Sequence, residues 1–146
     1  MRDFVFWQRW LVGVGAALAV FGVFMALFNG TALFDSFNRQ IDPAFWDGQA
    51  VEGAAWRFQR WAYGVWGATV AGWGLTLTCI ARHPFHRRER WARDTLLLAV
   101  AVWFTLDTGI SLAFGVHFNA VFNAVLLLLA APPLVFTWRE FARPGA

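Results

Sequence analysis

The sequence predicts an all-α integral membrane protein: a bundle of four transmembrane helices with a short helical cap on the outer side. Three observations predict it. Of 146 residues, 59% are hydrophobic and only 14% are charged, and the mean hydropathy is +0.49, a balance outside that of ordinary soluble domains. Four apolar stretches, at about 10–28, 60–81, 95–115 and 117–137, match the roughly 20 residues that a helix needs to cross a bilayer core at ~1.5 Å per residue. Ten Trp and sixteen Phe crowd the chain. Trp10, Trp61, Trp91 and Trp138 stand at span ends, where rings with one polar edge favour the membrane boundary.

The elements follow in order. The first span runs from Trp10 to Phe28, longer than the apolar core of a cleavable signal peptide, and only a weak small-residue cleavage pattern follows it. It is expected to stay as an anchor. In the loop 29–59, Leu33, Phe34, Phe37 and Ile41 recur at helical spacing, which predicts a short amphipathic helix on the outer rim. Asp42 before Pro43 reads as an N-cap with Pro at the first helical position, so a second short helix is expected near 43–47. The second span is expected to begin outside the membrane, because no Pro interrupts Ala50 to Arg60.

Small residues dominate that second span. Gly64, Ala68 and Gly72 form one stripe, with Gly67, Ala71 and Gly74 beside it, and the first span carries Gly15, Ala19, Gly22 and Ala26. Such stripes let backbones approach closely, so spans one and two are expected to pair tightly, with a homodimer seam as the alternative. Cys79 is the single cysteine. It excludes an intrachain disulfide and reads as a small buried residue. A tight turn at Gly115-Val116 makes spans three and four antiparallel neighbours. Pro132 and Pro133 predict a kink or an end to the fourth helix. The whole chain, 1–146, reads as a single domain without internal repeats.

Charge gives the orientation. All twelve basic residues are Arg. Nine of the twelve (Arg2, Arg9, Arg82, Arg87, Arg88, Arg90, Arg93, Arg139 and Arg143) fall on one side of the four-span topology. The positive-inside rule assigns that side to the cytoplasm. Both termini are therefore expected to be cytoplasmic, in a multi-pass protein of the plasma membrane, by expectation a bacterial inner membrane. The loop 29–59 then faces outward. The Arg-rich loop suits anionic headgroups, and no basic soluble face suggests nucleic acid.

Polar residues inside the last two spans carry the functional signal. About Gly115, Asp107 mirrors Asn123 and Ser111 mirrors Asn119, so four hydrogen-bonding side chains meet at matched depths. Asp107 lies roughly 12 Å below the outer end of its span at helical rise. A carboxylate in lipid must be protonated, paired or wet, and it marks a candidate site. The expected partner is Arg60, reaching inward from the outer start of span two, with Tyr63 and Asn123 donating to the same carboxylate. The plain reading is a polar clamp between helices. The functional reading is an outward-facing pocket lined by Asp107, Ser111, Asn119, Asn123, Arg60, Tyr63, Trp66 and Trp103. Its aromatic walls and single carboxylate would suit an amine, a sterol-like or an isoprenoid ligand.

No nucleophile motif, phosphate-binding Gly loop or pair of catalytic carboxylates is present. His83, His86 and Glu89 fall at intervals of three, but Pro84 and five nearby Arg argue against a metal there. The sequence names no cofactor. It points to a noncatalytic membrane protein that binds a small hydrophobic ligand or lipid, or that serves as accessory subunit of a membrane complex, with a homodimer and a larger membrane complex both left open as its assembly. Proton-coupled transport through Asp107 and membrane isomerase-like chemistry are the alternatives. Small multidrug-resistance transporters also have four spans and one membrane carboxylate, but theirs lies in the first span rather than the third.

Overall fold

The computed structural model describes residues 2–47, 49 and 51–141. Arg143 and Ala50, counted above, lie outside the described residues. Among the described residues every regular element is a helix. The long helices are α1 (Arg2–Phe28), α4 (Gly53–Arg82), α5 (Arg90–Ala113) and α6 (His117–Phe136), with α2 (Asp35–Ile41) and α3 (Pro43–Trp46) between α1 and α4. A 3₁₀ turn, Trp138–Glu140, follows α6. All four long helices are long and apolar enough to cross a membrane. Their outer faces stay apolar: Val20, Leu75, Leu98, Leu106, Val121 and Leu128 are all exposed. A girdle of that extent suits hydrocarbon rather than water.

The helices stand in the order α4, α1, α6, α5, with α4 and α5 barely touching. The tightest contact is α1 on α4. Gly15, Ala19, Gly22 and Ala26 run against Gly67, Ala71, Gly74 and Thr78, so both helices present small residues at alternating intervals of four and three. That seven-residue period keeps one seam facing its partner. A Cβ on Gly22 would collide with the backbone nitrogen of Ala71, and one on Gly67 would lie 2.7 Å from the carbonyl oxygen of Gly22. A Cβ on Gly74 would lie 2.6 Å from the carbonyl oxygen of Gly15. The backbones therefore touch, and only hydrogen atoms fit between them. Of the two stripes in the second span, the one that packs is Gly67/Ala71/Gly74. A Cβ on Gly72 would meet nothing within 4 Å. The same rotation turns Cys79 outward, so it is exposed rather than buried.

The hairpin of α5 and α6 closes at Gly115, whose φ is 73°. The Gly115 N–H donates to the Leu112 carbonyl (3.1 Å) and the Val116 N–H to the Ser111 carbonyl (2.8 Å). These two bonds are a Schellman cap, which needs a left-handed residue at this position. At the other end α6 continues through Pro132 and Pro133 and stops at Phe136, close to the expected end of the span at 137. Pro133 has no N–H for the Leu129 carbonyl. The indole N–H of Trp10 supplies the missing donor at 2.9 Å, joining α1 to α6. Thr137 Oγ1 in turn donates to the Pro133 carbonyl at 2.6 Å.

Both ends of the bundle are aromatic. At the Arg-rich end Phe4, Phe85 and Phe141 form a buried cluster, with Phe85 and Phe141 centroids 4.8 Å apart. The Arg93 guanidinium lies 3.8 Å above the Trp138 ring and pairs with Asp94 at 2.6 Å. Gln8 donates to the Ala81 carbonyl in the last turn of α4 at 3.1 Å, satisfying one carbonyl that the helix end leaves open. In the loop after α4, hydrogen bonds from Arg87 and then Trp91 hold the Glu89 carboxyl below its ordinary range.

At the opposite end α2 and α3 form the expected cap. Phe34, fully buried, stacks on Phe37 and faces Tyr63 (centroids 5.0 and 5.5 Å). Phe37 reaches Phe21 and Phe118 of α1 and α6. Pro43 begins α3 as expected, but the Asp42 carboxylate makes no cap bond. It accepts instead from Gln59 Nε2 of α4 at 2.6 Å, tying the cap to the bundle.

The seam makes the two glycine stripes of α4 respond with opposite sign. Gly67→Ala should destabilise the detergent-solubilised protein by about 2 kcal/mol or more through overpacking. Gly72→Ala should be neutral or slightly stabilising, because a helical Ala is favoured over Gly by about 1 kcal/mol. Thermal melts of the two variants beside the parent check both.

Candidate functional site

The last six residues of α5 before the cap place Asp107 roughly 9 Å below the hairpin tip. Its neighbours on the same face are Thr108 and Ser111, and α6 brings Asn119 and Asn123 to the same level. Asp107 Oδ1 accepts from Asn119 Nδ2 at 2.6 Å, from Asn123 Nδ2 at 2.8 Å and from Ser111 Oγ at 3.3 Å. A carboxylate only accepts, so each amide must turn its NH₂ toward it. The second amide protons are also used: Asn119 donates to Ser111 Oγ (2.8 Å) and Asn123 to Thr108 Oγ1 (3.2 Å). Ser111 Oγ donates more strongly to its own helix, to the Asp107 carbonyl at 2.7 Å. Both mirrored pairs, 107 with 123 and 111 with 119, therefore form, with a diagonal from 107 to 119.

The cluster is closed toward α6 and one-sided at the carboxylate. Asn123 and Ser111 are buried, whereas Asp107 and Asn119 are half-buried. Among the described residues, Oδ1 takes every side-chain hydrogen bond to Asp107 and Oδ2 takes none.

The remaining candidates stand elsewhere. No ion pair joins Asp107 to Arg60 among the described residues. Arg60 lies 4.8 Å above the Trp56 ring on its own helix and against Gly30 at the end of α1. The expected Asp107–Arg60 pairing fails because α4 packs on α1 and hardly meets α5, so the arginines of its first turns lie on the α1 side of the bundle. Tyr63 is buried under the cap, where its hydroxyl meets Gln59. Trp66 is exposed on α4 with its ring 5.8 Å from Tyr63. Trp103 of α5 pairs with Trp73 of α4 at 6.1 Å, a rare point of contact between those helices. Four of the eight candidates thus close on one another between α5 and α6. Arg60, Tyr63 and Trp66 belong to α4, and Trp103 stands apart.

Sequence reasoning did not anticipate a groove between α1 and α6. It has a volume of about 410 Å³ and is lined by Trp10, Gly13, Val14, Ala17, Leu18, Phe21, Phe122, Leu126 and Leu129. Its size falls within the roughly 300–1,000 Å³ of small-molecule sites. Its lining is apolar, and the one side-chain polar group among those residues, the Trp10 indole, is engaged with Leu129. The signal for it was Gly13 and Ala17, small residues on a face of α1 that the α4 seam does not use. Compared with protein-family models, curated proteins and solved structures, the chain shows no match.

The hydrogen bonds around Oδ1 grade the Asp107 substitutions. Asp107→Asn keeps an acceptor for both amides but loses the charge, since bonds to a charged group are worth about 1.5–3 kcal/mol and neutral ones about 0.5–1.5. It should cost about 1 kcal/mol. Asp107→Leu strands the Asn119 and Asn123 amides and should cost about 2–3 kcal/mol. Denaturation in detergent checks the order; equal stability of both variants and the parent would remove the clamp.

Proposed function

We propose that this is a noncatalytic multi-pass membrane protein that holds one hydrocarbon chain of a lipid or isoprenoid in the α1–α6 groove. The observation that carries this reading is the groove's apolar lining. Asp107 does not serve as its recognition group, since it is not among the residues that line the groove. The ligand is therefore chosen by shape and hydrophobicity. From Trp10 to Phe21 the groove follows α1 for about 16 Å at helical rise, close to half of a ~30 Å bilayer core. That length matches the hydrocarbon of one leaflet. Trp10, pinned to Leu129, bounds the groove toward the Arg-rich end.

A subunit role in a larger membrane complex is the second reading, and the free face of α4 favours it. Ala68, Gly72 and Thr76 are exposed there with no helix against them. Small residues of this kind admit a neighbouring helix. On that reading the occupant of the outer α4 face is another membrane helix, and the α1–α6 groove stays filled by bulk lipid.

Gly13 separates the two readings cleanly. A Cβ there would meet nothing within 4 Å, so Gly13→Phe fills the groove without displacing backbone. With a diazirine-bearing fatty acid as probe, the parent should crosslink at Phe21, Phe122 or Leu126, and Gly13→Phe should lose most of that labelling. Gly72→Phe, on the free α4 face, should leave it intact while shifting any oligomer toward monomer. Equal labelling of all lipid-facing helices in the parent, unchanged by Gly13→Phe, would overturn the groove reading.

A further inference from the structure

A second hollow lies at the end of the bundle that carries the cap, and its chemistry is opposite to that of the groove. It has a volume of about 290 Å³ and is lined by Ala26, Asn29, Trp56, Arg57, Arg60 and Trp61. Here α1 ends, and α4 begins as an exposed helix that projects its arginines past the α1 terminus. Neither Arg57 nor Arg60 forms an ion pair among the described residues. Arg60 is held in place from two sides, by the Trp56 ring at 4.8 Å and by Gly30. A Cβ on Gly30 would lie 2.7 Å from Arg60 Nη2 and closer still to the centre of the guanidinium.

Asn29 completes the hollow and is the least expected part of it. It is only 6% exposed. Its Nδ2 donates to the Met25 carbonyl at 2.9 Å and the Ala26 carbonyl at 3.3 Å. Two carbonyls can only accept, so the orientation of the amide is fixed. Oδ1 is left buried with no hydrogen-bond partner among the described residues. A buried acceptor without a donor calls for a ligand or a bound molecule that supplies one.

We propose that this hollow binds a phosphate group that carries an adjacent hydrogen-bond donor. The two guanidiniums face the phosphate oxygens, for which planar fork donors are well matched. The donor, a hydroxyl or ammonium two or three bonds beyond the phosphate, satisfies Asn29 Oδ1. Trp56 and Trp61 form the walls at the level where headgroups lie. A phosphatidylglycerol headgroup offers both parts, and so does free glycerol phosphate. Phosphatidylmethanol has the same charge without the donor, and phosphatidylcholine has neither net charge nor donor. The site is separate from the α1–α6 groove and stands or falls independently of it.

The test is native mass spectrometry of the purified full chain released from micelles that contain phosphatidylglycerol, phosphatidylmethanol and phosphatidylcholine in equal amounts. Phosphatidylglycerol should be retained best, phosphatidylmethanol less, and phosphatidylcholine least. In Arg57→Gln/Arg60→Gln, phosphatidylglycerol retention should fall about thirtyfold, as expected for the loss of two interfacial basic side chains. Arg9→Gln/Arg82→Gln changes net charge equally at the other end of the bundle and should retain the lipid. Gly30→Ala displaces the Arg60 guanidinium, the side-chain group nearest the added Cβ, and should lower retention with an unchanged melting temperature. Competition by added glycerol phosphate, with the same dependence on Arg57 and Arg60, would identify a soluble phosphate as the ligand rather than the headgroup. Equal loss in the two double variants, or retention of phosphatidylcholine as strong as that of phosphatidylglycerol, would overturn the site. Equal retention of phosphatidylmethanol and phosphatidylglycerol would overturn the role given to Asn29.

Discussion

The backbone contact between α1 and α4 is the constraint from which the rest of the molecule follows. Where the surroundings are hydrocarbon, burying apolar side chains gains little, and helices hold together by close packing. Gly15, Gly22, Gly67 and Gly74 achieve this by removing the side chains from the seam. The consequence reaches well beyond the seam itself. A seam without side chains cannot hold aromatic rings, and the buried Phe residues lie instead at the two ends of the bundle. Phe4, Phe85 and Phe141 close one end, and Phe34 and Phe37, supplied by the cap, close the other. Because α1 and α4 are antiparallel neighbours, the connection between them crosses the end of the bundle, where α2 and α3 cover the aromatic plug.

The other helix pair is joined by different means. Between α5 and α6 the contact is specified by the Gly115 cap and by the hydrogen bonds that converge on Asp107 Oδ1. Hydrogen bonds between membrane helices average only about 0.6 kcal/mol, so their value lies as much in register as in strength. One turn of slip would leave two amides and a carboxylate unpaired, whereas the small-residue seam tolerates no side chain but sets no polar register. Trp10 links the two pairs by donating to the Leu129 carbonyl that Pro133 leaves open. A missing backbone donor in one helix is thus made good by a side chain of another, and the proline fixes where α1 crosses α6.

Much of this was legible in the residues themselves. The four spans, the cap helices and the mirrored contacts about Gly115 follow from length, period and turn chemistry, all of which are local. What was not legible was rotation. Depth placed Arg60 within reach of Asp107, but depth says nothing about azimuth, and α4 turns its arginines toward α1. The same uncertainty hid which glycine stripe of α4 packs and left Cys79 outside. It also concealed the α1–α6 groove, because Gly13 and Ala17 are informative only once the seam is known to use Gly15, Ala19, Gly22 and Ala26. The donor that replaces the missing Pro133 N–H, the Trp10 indole of another helix, was likewise not legible.

The arginines show how partners, rather than residue type, separate structural from functional charge. At the crowded end Arg87 pairs with Glu89, Arg88 with Glu140 and Arg93 with Asp94, and Arg90 donates to the Phe141 carbonyl. Of these, Arg88, Arg90 and Arg93 tie the connection between α4 and α5 to the turn after α6, and Arg87 pairs within the connection itself. A count of positive charge treats them as equivalent to Arg57 and Arg60, yet the latter two line a hollow with a buried amide oxygen that lacks a donor. Arg60 is exposed, with its guanidinium over the Trp56 ring, and like Arg57 it has no carboxylate partner among the described residues. At the Arg-rich end several guanidiniums thus help to close the bundle, while at the cap end Arg57 and Arg60 border a hollow whose buried amide oxygen has no donor among the described residues.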